Sequence, residues 1–452
     1  MDRTLVDDQA GVARTYDRRE YLTVLAASLA STLSGCGSRQ AVPETDSRQP
    51  AGDDTAETIT PKTGQDTLTP TTQSKDFTNA NFGWSIALAD GTALPGVLFN
   101  GDEKRGSASI FSRTRTGWEQ QATPHAPDGD WSDNFGISVA LDTNRALIGA
   151  NEEDDPNGEE SGSVYVFSRT GDQWHQETRL VASDGEPGDR FGTTIALDQG
   201  TALISEGLKP TTKGSVYVFS RRDTGWTQET RLTDSNTSKG FGFSLAVEED
   251  TGLIGDFGDE NTGAASVYTR TGTGWEQQAK LFAADGEETD RFGSSVALDG
   301  DTALIGAKYD ENSNGEQAGS AYVFTRAGAG WEQQAKLLAP DGDAEDNFGE
   351  SVALDSNTAL IGVPRSDNTN GPGAGSAYVF TRTETGWEQQ AKLLAPDGDT
   401  RDRFGRTIAL EEGTALVGTI EEGPYGSVYV FSRTADAWSQ EGKLTPHDAG
   451  MQ

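Results

Sequence analysis

The chain of 452 residues has little of what most enzymes use: one Cys, three His and two Met. A single thiol, Cys36, excludes an intramolecular disulfide framework and a cysteine-based metal cluster. The histidines, His125, His175 and His447, stand apart from one another and from any G-x-S-x-G nucleophile pattern. There is no Walker loop, dinucleotide fingerprint, HExxH or CxxC. Lysine is scarce as well, supplying 11 of 36 basic residues against 72 acidic ones, for a net charge of −36. No basic stripe is left to neutralise phosphates, which argues against nucleic acid as a partner. No stretch holds a 3.6-residue apolar period long enough for a helix. No apolar run reaches the length needed to span a bilayer.

What is abundant is acid, spread over the whole chain. At ordinary ionic strength such a charge destabilises a compact state by self-repulsion. At molar salt the Debye length falls to roughly 3 Å and the repulsion is screened. The composition therefore resembles that of proteins working in high salt, as in halophilic archaea; an ordinary acidic protein is the plainer alternative. The first 35 residues add a second context. Arg18 and Arg19 open an R-R-x-Y-L pattern that resembles a twin-arginine export signal. The apolar stretch from Tyr21 to Leu33 has the length of a signal-peptide core. It runs into Leu33-Ser34-Gly35-Cys36, which resembles a lipobox and makes Cys36 the lipidation site, with the protein exported and anchored to the outer face of the membrane by that lipid alone. Residues 36–76 are rich in Thr, Pro and Asp and hold few large apolar side chains. They read as a flexible stalk and a candidate for O-glycosylation.

From Asn81 onward the chain repeats. Phe-Gly pairs stand at Phe82, Phe135, Phe191, Phe241, Phe292, Phe348 and Phe404. Each is followed by a Trp at a similar offset: Trp118, Trp174, Trp226, Trp275, Trp331, Trp387 and Trp438. One unit contains four strand-like segments, for example "SVALD" from Ser351, "TALIGV" from Thr358, "GSAYVFTR" from Gly375 and "WEQQAKLLA" from Trp387. The short turns between them carry hairpin chemistry. Four antiparallel strands repeated seven times predict an all-β, seven-bladed β-propeller over residues 77–446, with 447–452 as a tail. The small apolar strands belong near the axis, and the Trp-bearing strand outside, its indole packing between blades.

The unit "FG-x-SVAL-D-x-x-TALIGA…GSAYVF…GW-x-QQAKL…DG" resembles the FG-GAP repeat, which builds the propeller of integrin α-subunit heads. That resemblance implies the same fold, a role in binding and calcium-holding D-x-D-x-D-G loops. Here "YDENSNG" places Asp310, Asn312 and Asn314 in that register, and "EDDPNG" places Glu153, Asp155 and Asn157 likewise. Counted from Asp310, positions nine and twelve are Ala318 and Ala321, so no closing carboxylate follows there, and polar turns are the alternative reading. A second acidic loop family precedes five of the seven Phe-Gly pairs, with Asp285, Asp341 and Asp397 before Gly, and Asp290, Asp346 and Asp402 two residues before Phe. Those are turn and capping positions. No Asp or Glu stands out from its equivalents in other units, as a single-copy active site should, although paired carboxylates for glycoside hydrolysis remain open. The expectation is a monomeric, non-catalytic adhesion module engaging an extracellular protein or glycan. An extracellular polysaccharide hydrolase or lyase is the alternative.

Overall fold

Each repeat begins with a strand that its neighbour helps to hold in place, and this sets the architecture. The computed structural model describes residues 3–6, 13–16 and 81–446, except 99–105, 128, 130–131, 155–156, 208–213, 235–239, 259–261, 329, 423–424 and 436. By itself, the N-terminal part contains Arg3–Val6 paired antiparallel with Ala13–Tyr16. Arg18, Arg19 and Cys36 lie outside the described residues.

The repetitive part forms seven antiparallel sheets, one per repeat. In the sixth blade the strands are Ser351–Asp355, Thr358–Val363, Ser376–Thr383 and Gly386–Leu393. The pairing runs in sequence order, and a bulge between Val379 and Phe380 in the pairing of the last two strands recurs at the same place in every blade. The second strand is almost wholly buried, because adjacent blades cover both of its faces. The first strand departs from expectation: in the sixth and seventh blades it is mostly half-buried, since it borders the axis rather than another sheet. The fourth is exposed or half-buried until its last residue, the buried Leu393.

Phe-Gly turns out to be the joint between blades. Phe348 N–H donates to Ala318 O of the preceding blade at 2.8 Å, and Phe404 N–H to Ala374 O at 2.9 Å. The Phe ring then packs edge-on against its own blade, Phe348 at 6.1 Å from Phe380. Two residues after the Gly, a Ser or Thr hydroxyl bonds forward to the next blade. Ser85 donates to Gly136 O, Ser138 to Gly192 O, Ser244 to Gly293 O, Ser295 to Gly349 O and Ser351 to Gly405 O, at 2.6–2.9 Å. Thr194 reaches Phe243 O at 3.2 Å.

Closure uses the same joints and needs no exchanged strand. Thr407 donates to Gly83 O at 2.7 Å and Phe82 N–H to Tyr425 O at 2.7 Å. Phe82, Val97 and Phe111 of the first blade share a core with Leu416, Val428 and Leu444 of the last. Arg113 and Glu441 tie the outer strands together at 2.7 Å. The acid that ends the first strand makes a matching joint at the opposite end of the blade: Asp299 accepts from Ser356 N–H at 2.7 Å and Glu411 from Asp90 N–H at 3.0 Å. The outer tryptophans bridge blades as packing residues. Trp331 Nε1 donates to Gln278, and Trp438 Nε1 to Gln390, each on the preceding blade's fourth strand.

Candidate functional site

Antiparallel order puts the connections between second and third strands on the same rim as those between fourth strands and the next Phe-Gly. The two acidic loop families therefore converge on one loop rim, and the short hairpin turns occupy the other.

In the fifth blade, Asp310 is buried at 1% exposure. Its Oδ1 accepts from Tyr322 OH at 2.9 Å and from Lys336 Nζ at 3.0 Å. Its Oδ2 accepts from Ser320 at 2.6 Å and from Asn312 Nδ2 at 3.3 Å. Asn312 Oδ1 takes the N–H of Asn314, whose amide holds Ala339 O at 2.7 Å. In the second blade Glu153 likewise accepts from Tyr165 OH and Arg179, each at 2.7 Å, and from Ser163. Asn157 holds Ala182 O at 2.8 Å, as Asn370 holds Ala395 O in the sixth. Asp155 lies outside the described residues.

The same unit of Tyr, cation and carboxylate recurs around the ring. Lys392 and Tyr378 hold Asp341 at 2.8 and 2.6 Å, and Lys443 and Tyr429 hold Asp397 at 2.8 and 2.7 Å. The Asp before Gly is thus a bridge to the next blade's third and fourth strands, and more than a turn former. Asp346 takes the N–H of Asp343 at 2.9 Å, inside the loop rather than at the strand entry.

The fit to calcium follows from these partners. Both oxygens of Asp310 are engaged by protons, and an ammonium sits where a divalent ion's charge would be. The arrangement does not fit a calcium ion, because Lys336 and its equivalents supply the positive charge. Among the described residues no group of three or more acids, His or Cys is placed to hold a metal. Adding excess EDTA should leave the melting temperature unchanged within about 1 °C by calorimetry, whereas a calcium-held ring would lose the stabilisation that ligand binding confers.

The carboxylates of this rim divide by titration. Burial pushes Asp290 and Asp346 up to about 6. Burial acts the same way on Asp285 and Asp341, but hydrogen bonds from Lys336 and Lys392 outweigh it and hold both below the usual range. A raised carboxylate binds its proton more tightly folded than unfolded, so it adds stability as pH falls through about 6. A lowered one contributes above the ordinary carboxylate value and loses that contribution as pH falls below it. The melting temperature should therefore rise by roughly a few degrees from pH 7 to pH 5 and fall below about pH 4. A monotonic decline from pH 7 would contradict this pairing.

What does not repeat is the residue between Phe-Gly and the Ser/Thr joint: Trp84, Ile137, Thr193, Phe243, Ser294, Glu350 and Arg406. These stand at the axial end of each first strand, on the loop rim. Residues just after the second strand meet them. Asn151 donates to Thr193 at 3.0 Å, and Phe257 lies edge-on to Phe243 at 4.7 Å. Lys308 Nζ lies 3.1 Å from Glu350 Oε1, and Arg406 Nη1 hydrogen-bonds to the same oxygen. The Lys308, Glu350 and Arg406 side chains are 2%, 7% and 3% exposed and come from three successive blades. Burial depresses Lys308 to about 8, against the pull of Glu350. Glu350, buried among cations, is held low by Lys308 and Arg406. Glu350 is thus an acid that differs from all its equivalents at the x of FG-x-S, contrary to the sequence expectation. The signal was legible in the x of FG-x-S, but a single variable position looks like ordinary drift until the ring brings all seven together.

The FG-GAP repeat family matches residues 118–167, 174–219, 275–324, 331–380 and 387–431. No curated protein matches the chain in sequence. Among solved structures, a Lactobacillus plantarum protein is similar at TM-score 0.51 and 15% identity, covering 78% of this chain and 95% of that one. A candidate 6-phosphogluconolactonase from Bacteroides fragilis is similar at TM-score 0.53 and 11% identity, covering 79% and 96%. At these identities the likeness is one of fold.

Proposed function

The chain belongs to the FG-GAP repeat family, and from that premise we propose that it is a non-catalytic binding propeller engaging an extracellular protein or glycan through its loop rim. Arg18 and Arg19 would direct export, and lipid on Cys36 would hold the protein at the outer face of the membrane, in a salt-rich medium that screens its charge. The observation that carries the binding reading is the gathering of both long loop families and all seven non-repeating axial residues on one rim of a rigid ring. Surface loops positioned by a rigid scaffold are where binding residues concentrate.

A glycan array and a surface-protein pull-down with the full chain in molar salt test this. Reproducible capture that is lost when rim loops are exchanged supports it, and repeated absence of any ligand counts against it. The alternative, a polysaccharide hydrolase or lyase, draws on Glu350, a rim carboxylate that no other blade repeats at its position. Glycoside hydrolysis uses two carboxyl groups, one of them protonated, whereas Glu350 is held ionised between two cations. Polysaccharide turnover abolished by Glu350→Gln in a variant still folded at the assay temperature would decide for the enzyme.

A further inference from the structure

We propose that the axial end of the loop rim, across blades four to seven, is a binding site for an anionic saccharide, one carrying uronate or sulfate groups. The proposal rests on the binding reading above and names its ligand class.

The first observation is charge placed against the trend of the molecule. In a chain of net charge −36, Arg291, Lys308, Arg365, Arg403 and Arg406 gather around Glu350 and Glu421. Glu350 lies between Lys308 and Arg406, and Arg403 Nη1 pairs with Glu421 Oε1 at 3.2 Å. Arg365 and Arg403 lie close enough to Arg406 for their charges to disfavour its own, and Arg291 does the same to Lys308. Lys308 and Arg406 share the one carboxylate of Glu350, with the guanidinium groups of Arg365 and Arg403 close by.

The second observation is depth. Lys308 and Arg406 are nearly inaccessible, and Arg406 Nη2 has no acceptor among the described residues. Buried cations that outnumber their internal acceptors attract an anion placed above them, because low-dielectric surroundings screen them little. Arg365 and Arg403 are half-buried and provide the accessible layer. Their forked guanidinium groups match carboxylate and sulfate oxygens in pairs.

The third observation separates a sugar from an acidic peptide. Aromatic faces continue the cationic arc without interruption. Phe243 packs on Phe257, Arg291 lies 5.2 Å from the Phe257 ring and 4.7 Å from the Tyr309 ring, and Lys308 lies 5.3 Å from Tyr309. Phe243, Phe257 and Tyr309 are all half-buried, so each offers partial ring area, Phe257 and Tyr309 beside a charge. Such platforms suit the apolar face of a sugar ring whose substituents reach the arginines.

Isothermal titration of the full chain in low and molar salt tests the site. The probes are trigalacturonate, a sulfated disaccharide, maltotriose as neutral sugar and hexaglutamate as acidic peptide. The expected result is binding of one or both anionic sugars at least tenfold tighter than maltotriose or hexaglutamate, weakening with salt. Arg365→Ala and Arg403→Ala should each weaken it about tenfold with the melting temperature held. Arg169→Ala, on an outer strand of the second blade, should not. Equal binding of maltotriose, preference for hexaglutamate, indifference to the Arg365 and Arg403 variants or no binding of either anionic sugar would each overturn the proposal. If a neutral glycan or a protein still bound the rim, the wider binding reading would stand without this one. If nothing bound, both would fall.

Discussion

Glu350→Ala should destabilise the propeller by about 3–5 kcal/mol, the cost of leaving buried charge without its partner. Glu350 is the shared acceptor of Lys308 and Arg406, each buried and drawn from a different neighbouring blade. Removing it leaves two cations in a region where burial already depresses both, Lys308 to about 8 and Arg406 to about 10. The lysine can shed its proton and the guanidinium cannot, so the residual strain falls on Arg406. Chemical denaturation measures the loss. A second variant separates charge from shape: adding Lys308→Met to Glu350→Ala should recover part of it, because one unpaired cation is replaced by an apolar side chain of similar length. A Glu350→Ala protein as stable as the parent would mean that the triad is solvated and not a buried network.

Gly306→Ala should be as damaging, on the order of 3 kcal/mol, for a steric reason. A Cβ at Gly306 would stand 2.2 Å from Gly349 O and 2.2 Å from Ser295 Oγ. Those two atoms form the hydrogen bond that fastens the fifth blade to the sixth. The methyl group would enter the joint itself, and backbone on both sides leaves it no room. Gly362 faces the same pair of neighbours one blade on, with Gly405 O at 2.0 Å and Ser351 Oγ at 2.3 Å. The third blade is the built-in control. Ser205 takes the equivalent place, its hydroxyl accepts from Thr194 N–H at 3.1 Å, and the joint moves to Phe243 O. Ser205→Gly should therefore cost clearly less, on the order of 1 kcal/mol for the lost hydrogen bond and the added chain entropy. Thermal unfolding of the two variants side by side tests the argument, and comparable losses would refute it.

These variants also show which parts of the molecule were legible before folding. The blade count could be read because each Phe-Gly is a covalent, local signal, and period-two apolar alternation needs only the chain itself. The strand bounds in the sixth blade fall within two residues of the pattern for the same reason. The roles of the acids could not be read locally. Asp341 before Gly looks like a turn residue, yet its partners are Tyr378 and Lys392, 37 and 51 residues away. Asp310 sits in a calcium-like spacing, yet its charge is met by Lys336, 26 residues on. Spacing along a loop records which oxygens can converge, and says nothing about which cation reaches them.

By itself, then, the amino-acid order determined an all-β ring of seven four-stranded blades, an acidic surface and the absence of recognised catalytic motifs. Tertiary structure alone decided that the ring closes through the joint used between all blades, because Thr407 and Gly83 stand 324 residues apart. It also decided that Lys308, Glu350 and Arg406, single unremarked positions in three repeats, form one buried cluster. Seven-fold closure is what brings equivalent positions of distant repeats to one axis, and no local period carries that information.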